Sequence, residues 1–337
     1  MFAKASGGSR AGTVANAQIS KGDMTRGVEK VQVSGEELQV EIDASTEQQY
    51  VTVCGIRIRL ARPYELDFEW IGNRTVLNQL KASWFCSKEG EKPMNPRLVG
   101  KPGVGKTALG YAAGKSIGLP CYFFQGTADT RPNDLLVTPL VVETSKDESK
   151  VEYIASTVIT AMIVGGVCIL DEGNRMQEKA WASLAPLLDS RRYIESISVG
   201  LLLKAHPNFR FVATMNDDAS CFDLPEYIQS RLHPYIGLDF PDRSEERKIL
   251  EVNLPFTDPT VLDYVADFLE VARKEGEDYT PRDGIHIGNY AGKLVDFEAH
   301  NGRDLDPGDA VVTAVEQILG IRQARFMKQI LWRERAA

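Results

Sequence analysis

The run Gly100-Lys101-Pro102-Gly103-Val104-Gly105-Lys106-Thr107 fits the pattern G-x-x-x-x-G-K-[ST] at every fixed position. Glycines at this spacing let successive backbone N–H groups turn inward, and a helix starting at the end of the loop adds the positive end of its dipole, so the segment suits phosphate groups. In such a loop the Lys106 ammonium reaches the β- and γ-phosphates, the Thr107 hydroxyl ligates Mg²⁺, and Ala108 follows in the opening turn of the helix. Farther along, Val167-Cys168-Ile169-Leu170-Asp171-Glu172 is an apolar strand that delivers two adjacent carboxylates at its C-terminal end. Asp171 is expected to hold Mg²⁺, directly or through water, and Glu172 to polarise an attacking water. An acidic pair after a strand also serves as a cap or loop face; the phosphate loop upstream selects the chemical reading. The pair of motifs implies hydrolysis of a nucleoside triphosphate, ATP with Mg²⁺ by expectation. Nothing in these residues reads the base, so GTP stays open.

The elements around these motifs alternate between strand and helix. Residues 97–99 and 121–124 read as strands, as do 167–170, 209–214 and 235–240; residues 107–117, 151–163, 179–188 and 224–231 read as helices. That alternation predicts an α/β layer fold with a mainly parallel sheet. After Pro241 the pattern becomes helical, with helices expected over 244–252, 259–274, 285–298 and 307–326, the last opened by Pro307 with Asp306 as its cap. Ahead of the phosphate loop, Leu38-Gln39-Val40-Glu41-Ile42 alternates, as do Val51-Thr52-Val53-Cys54 and Ile56-Arg57-Ile58-Arg59-Leu60, which predicts short strands with one wet face. Residues 76–85 read as a linker helix. The expected organisation is a flexible, Gly-, Ala- and Ser-rich tail over 1–27, a β-rich elaboration with its linker over 28–90, a nucleotide-binding α/β domain over 91–240, and a helical lid over 241–337.

Several ordered patterns resemble the AAA+ ATPases, and among them the MoxR-like, dynein-related branch that includes the CbbQ and NorQ activators. Asp171-Glu172-Gly173-Asn174-Arg175 is similar to the D-E-x-N-R of that branch, and Phe211-Val212-Ala213-Thr214-Met215-Asn216 to its sensor-one strand. Leu224-Pro225-Glu226 with Ser230-Arg231-Leu232, Tyr279-Thr280-Pro281-Arg282, and Gly302-Arg303-Asp304 with Pro307-Gly308-Asp309-Ala310 resemble its remaining signatures. The resemblance spans about residues 95–320. It implies a P-loop NTPase module with a lid, working as a homo-oligomer in a hexameric ring, with nucleotide at the subunit boundary. It also implies roles: Asn216 positions the attacking water, Arg282 reaches the γ-phosphate from the lid, and Arg231 is the finger sent into the next subunit, with Arg191 and Arg192 as rivals. Each arginine could instead serve a surface salt bridge, and Asn216 a turn. Residues 128–150 and 193–203 look like the two inserted hairpins of the branch, at a pore or partner face, or else solvated loops. The chain departs from the pattern at Leu232, where Phe is usual, and at Gly173, which replaces Ile and is expected to loosen its loop. The implied partner is a protein to be remodelled, often one with a von Willebrand factor A domain.

Composition narrows the field without identifying a partner. The chain has 337 residues and a formal charge of −8, which weighs against a nucleic-acid coat while leaving room for a local basic pore. A nucleic-acid motor and a structural ring component are the rival readings. The five cysteines form no CxxC pair and the four histidines are scattered, which gives a zinc site little support. No apolar run is long enough for a membrane span, and the first residues lack a signal-peptide core, so the cytoplasm is the expected location.

Overall fold

The computed structural model describes residues 28–336 apart from 34–35, 44–45, 67–69, 145–147 and 219–222. The tail over 1–27 that the sequence marks as flexible lies outside the described residues.

Five parallel strands form the central sheet: β5 (Arg97–Gly100), β6 (Cys121–Gln125), β9 (Val167–Asp171), β12 (Arg210–Asn216) and β13 (Tyr235–Gly237). Their order across the sheet is β13-β5-β12-β9-β6. The chain thus places β12 between the strand that feeds the phosphate loop and the strand that ends in the acidic pair. Ligands of open α/β sheets gather at the carboxyl ends of the strands, where the strand order reverses. β9 is buried along Val167-Cys168-Ile169-Leu170, the continuous apolar run expected of a strand covered on both faces. Helices α2 (Lys106–Ser116), α3 (Thr157–Val164) and α4 (Glu178–Leu184) cover the sheet, together with α1 (Arg74–Trp84).

The strands ahead of the phosphate loop belong to a second sheet. Strands β1 (Val28–Val33), β2 (Glu36–Asp43), β3 (Gln48–Val53) and β4 (Ile56–Arg59) form an antiparallel meander. β4 then pairs in parallel with β8 (Glu148–Ala155), whose hairpin mate is β7 (Val137–Thr144). The meander and the inserted hairpin are one six-stranded sheet. Its inner residues Val40, Val51 and Ile58, with Leu60 just past β4, pack in the same apolar cluster as Leu170 and Phe211 of the central sheet. A short hairpin of β10 (Tyr193–Ser196) and β11 (Leu201–Lys204) turns through Gly200, within the expected second insertion.

Two helix expectations need correction. Residues 151–163 are not one helix: they divide into the end of β8 and the start of α3, because the Ser156 hydroxyl accepts from the Ile159 N–H and caps a new helix. Residues 307–326 likewise divide into α9 (Pro307–Leu319) and α10 (Ile321–Ala336), broken at Gly320 with φ 109°. With α6 (Arg243–Asn253), α7 (Pro259–Lys274) and α8 (Pro281–His300), these helices enclose a separate core around Leu250, Val265, Phe268, Leu269, Val311 and Met327. A short helix, α5 (Glu226–Gln229), lies between β12 and β13. The expected fold class holds: a parallel α/β P-loop module followed by a helical lid. Among the described residues no helix is long and apolar enough to cross a membrane.

Candidate functional site

β5 ends at Gly100 and α2 begins at Lys106, so the phosphate loop spans the gap between them. Gly103 and Gly105 have φ 89° and 95°, values that side chains other than glycine rarely adopt. Gly105 is the N-cap of α2 and offers no side-chain acceptor, which leaves the first N–H groups of the helix open to a ligand. Lys106 folds back over the loop and donates to the carbonyls of Gly100 (2.9 Å) and Lys101 (2.8 Å). It is only 6% exposed, and burial pushes its ammonium down to about 8, against the pull of Asp171.

Across the cavity, the Thr107 hydroxyl donates to Asp171 Oδ1 at 2.7 Å. The same oxygen accepts from the Thr214 hydroxyl on β12, and Thr214 Oγ1 in turn accepts from the Glu172 N–H at 3.1 Å. Glu172, just past β9, sits in the left-handed region at φ 52°. Its Oε1 accepts from Asn216 Nδ2 (3.3 Å), and its Oε2 accepts from Gln125 Nε2 (2.9 Å) and lies 2.9 Å from Arg175 Nε. Asn216 is itself held by Asn174, whose amide donates to the Asn216 carbonyl (2.7 Å) and whose Oδ1 accepts from the Asn216 N–H (3.2 Å).

Pro102, Gly103, Gly105, Lys106, Thr107, Ala108, Asp171, Glu172, Asn216 and Arg282 line one cavity of 220 Å³. Gly100, Lys101 and Val104 line a neighbouring one, beside Asp217 and β13. Arg282 arrives from the lid. Thr280, the N-cap of α8, puts its hydroxyl 2.7 Å from where a Cβ on Gly103 would lie, so the lid rests directly on the loop. Lys101 reinforces this seat with an ion pair to Asp278 at 2.8 Å. Arg231 lies outside this cavity, paired with Asp189 at 3.5 Å.

The donor set fits a magnesium triphosphate. Thr107 and Asp171 offer two hard oxygens that already touch, and Mg²⁺ is commonly held by one or two protein oxygens together with substrate phosphates. The open N–H groups of α2 and the Lys106 ammonium suit the phosphates themselves.

The sequence reading missed five contributors. Thr214 and Gln125 reach the acidic pair across strands, and Arg175 lies three residues beyond Glu172 in the same turn; the motifs quote Thr214 and Arg175 without giving them this role. Trp70 and Ile71 line a 330 Å³ cavity with Val104, Ala108, Ile249 and Ile285, continuous with the loop and apolar enough to take a nucleotide base. Their signal was weak, an isolated aromatic ahead of the linker helix. Gly173 also corrects the expectation of a loose loop. A Cβ there would lie 2.7 Å from Leu170 Cδ2 and 2.8 Å from Trp181 Cζ2, and the Trp181 indole donates to the Gly173 carbonyl at 3.0 Å. The glycine makes room for a buried tryptophan that pins the turn.

Residues 97–232 match the family model described as an AAA domain of the dynein-related subfamily. An uncharacterised protein of Staphylococcus haemolyticus is 23% identical over 209 residues, which is 61% of this chain and 77% of that protein. One from Staphylococcus aureus is 24% identical over 207 residues, covering 60% and 76%. Among solved structures, a Thermotoga maritima RuvB variant superposes with a TM-score of 0.51 at 20% identity, covering 76% of this chain and 72% of that one. That likeness is one of fold, and it agrees with the α/β AAA+ module and lid described above.

Proposed function

We propose that this chain is an ATPase that works as one subunit of a hexameric ring and uses hydrolysis to remodel a partner protein. The observation that carries the reading is the convergence of Lys106, Thr107, Asp171, Glu172 and Asn216 on one cavity beside open helix N–H groups. Mg²⁺ bound by Thr107 and Asp171 would neutralise charge on the β- and γ-phosphates. Lys106 meets the same phosphates as a point charge and leaves its two loop carbonyls to do so. Glu172 takes the proton of a water as that water attacks the γ-phosphorus and ADP departs, and Asn216 orients the carboxylate. Arg282 adds charge from the lid, and Arg231 from the neighbouring subunit. The base lies against Trp70 and Ile71, an apolar slot that suits adenine.

The finer reading is a MoxR-like ATPase of the cytoplasm, whose partner carries a von Willebrand factor A domain. It draws on the D-E-x-N-R run, the two hairpins and the remaining ordered motifs. Nucleotide binding and phosphate release test the core of the proposal. Lys106→Ala is expected to lose ATP binding, and Glu172→Gln to bind ATP and hold it uncleaved. Tight binding by the first variant or wild-type turnover by the second would sink the assignment.

A further inference from the structure

The cluster around Arg231 has a form that the ring reading alone does not specify. Asp189 follows the region of α4 and precedes β10. Its Oδ1 accepts from the backbone N–H of Arg191 at 2.9 Å and from Arg191 Nε at 3.0 Å, and its Oδ2 accepts from Arg191 Nη2 at 2.7 Å. Arg231 Nη2 lies 3.5 Å from the same Oδ2. Two guanidiniums from segments some 40 residues apart, counted from their numbers, therefore share one carboxylate. The backbones beneath them are tied together as well. Asn95, 7% exposed, donates from Nδ2 to the Leu188 carbonyl at 2.8 Å and to the Arg231 carbonyl at 3.4 Å. Lys92 fastens the same turn by donating to the Ser190 carbonyl.

Two guanidiniums thus share one carboxylate, which leaves the group net positive, and Arg191 is half exposed. One carboxylate offsets only one of the two charges, and planar guanidiniums are well shaped for phosphate oxygens. Arg192, the other rival for this role, points elsewhere: it is largely buried, donates to the Phe209 carbonyl and lies over the Phe209 ring, 5.4 Å from its centre.

We propose that Asp189 is a positioning residue which holds Arg191 and Arg231 side by side as a two-arginine clamp for the triphosphate bound by a second copy of this chain. Asp189 touches no nucleotide. It fixes the spacing of the two groups that do, and it stays ionised at working pH because Arg191 and then Arg231 hold its carboxyl down, to about 2. Arg191 is open to solvent, and an ion pair so placed adds little to folding. Its loss is therefore expected to leave the fold intact while misplacing the clamp.

The inference rests on the ring-ATPase reading, and the test separates the two. Steady-state ATPase and equilibrium nucleotide binding are measured on the full chain for Asp189→Ala, Asp189→Asn and Arg231→Ala. Asp189→Ala is expected to lower kcat by roughly 10–100-fold, the range of a misplaced catalytic group, with KM and ATP affinity unchanged. Asp189→Asn, which keeps the shape and loses the charge, is expected to fall between Asp189→Ala and the parent chain, and it decides the matter if the alanine variant does not fold. Adding Asp189→Ala to an Arg191→Ala/Arg231→Ala double variant is expected to cost nothing more. Mixing Asp189→Ala with Lys106→Ala subunits is expected to restore turnover, since the latter lend an intact clamp to the former's intact pocket. A slow Arg231→Ala beside a fully active Asp189→Ala overturns the positioning role alone. A fully active Arg231→Ala overturns the ring reading beneath it. Weakened ATP binding by Asp189→Ala at unchanged kcat overturns the inference by moving its effect to the subunit's own pocket.

Discussion

Lys106 is buried against two carbonyls of its own loop, and that placement makes its charge dependent on pH. Its ordinary value of 10.5 falls to about 8. Between those values the unfolded chain binds more protons than the folded one, so this group destabilises the fold below about pH 8 and that penalty is relieved as pH rises to 10.5. Nucleotide binding runs the other way, because a triphosphate favours the ammonium. Binding at pH 8.5 is expected to take up protons, with the uptake shrinking toward pH 7 and the affinity falling above pH 8. Calorimetry in buffers of different ionisation enthalpy measures this, and uptake independent of pH would refute it. Gly173 supports a second expectation at this scale. Gly173→Ala must push Leu170 or Trp181 aside and is expected to cost about 1–3 kcal/mol by overpacking, read from denaturant unfolding. The sequence could not announce that contact, because Trp181 reaches Gly173 only through the turn between β9 and α4. Lys106, Thr107, Asp171 and Glu172 were legible for the opposite reason: phosphate chemistry fixes their types and their local spacing.

Among the elements, those whose ends are set by local chemistry were the most readable. Asp258 with Pro259 opens α7 and Asp306 with Pro307 opens α9, each with its aspartate accepting from N–H groups of the first turn. The strand before α3 is hidden in the sequence because the apolar content of residues 151–163 suits both periods, and only the Ser156 cap separates them. The seat of α8 on the phosphate loop was not legible at all, since it joins residues far apart in the chain. It yields a prediction of its own. Gly103→Ala places a methyl against Thr280 Oγ1 at a left-handed backbone position, a strain of about 1–2 kcal/mol from the backbone alone. ATP affinity is expected to drop and hydrogen exchange at the start of α8 to rise; unchanged exchange there would show that the lid does not bear on Gly103.

For the molecule as a whole, the strands ahead of the phosphate loop are part of the main core rather than a separate attachment. The sequence marks their alternation but not their destination, because the parallel pairing of Ile58 with Tyr153 depends on where the inserted hairpin lands. Ile58 is fully buried, so Ile58→Ala is expected to destabilise the α/β core by about 2–5 kcal/mol, visible as a lower denaturant midpoint. The lid has its own apolar core and meets the loop at the seat of Thr280 on Gly103. From that seat α8 runs as 20 unbroken residues. A rod of that length reaches about 30 Å, and a tilt of about 10° at the seated end carries the far end by about 5 Å. Any tilt at the seat would therefore be magnified at the far end of α8, near Phe297, an exposed aromatic. On the ring-ATPase reading, loss of one phosphate at the loop would then be felt as a stroke of several ångströms at that end.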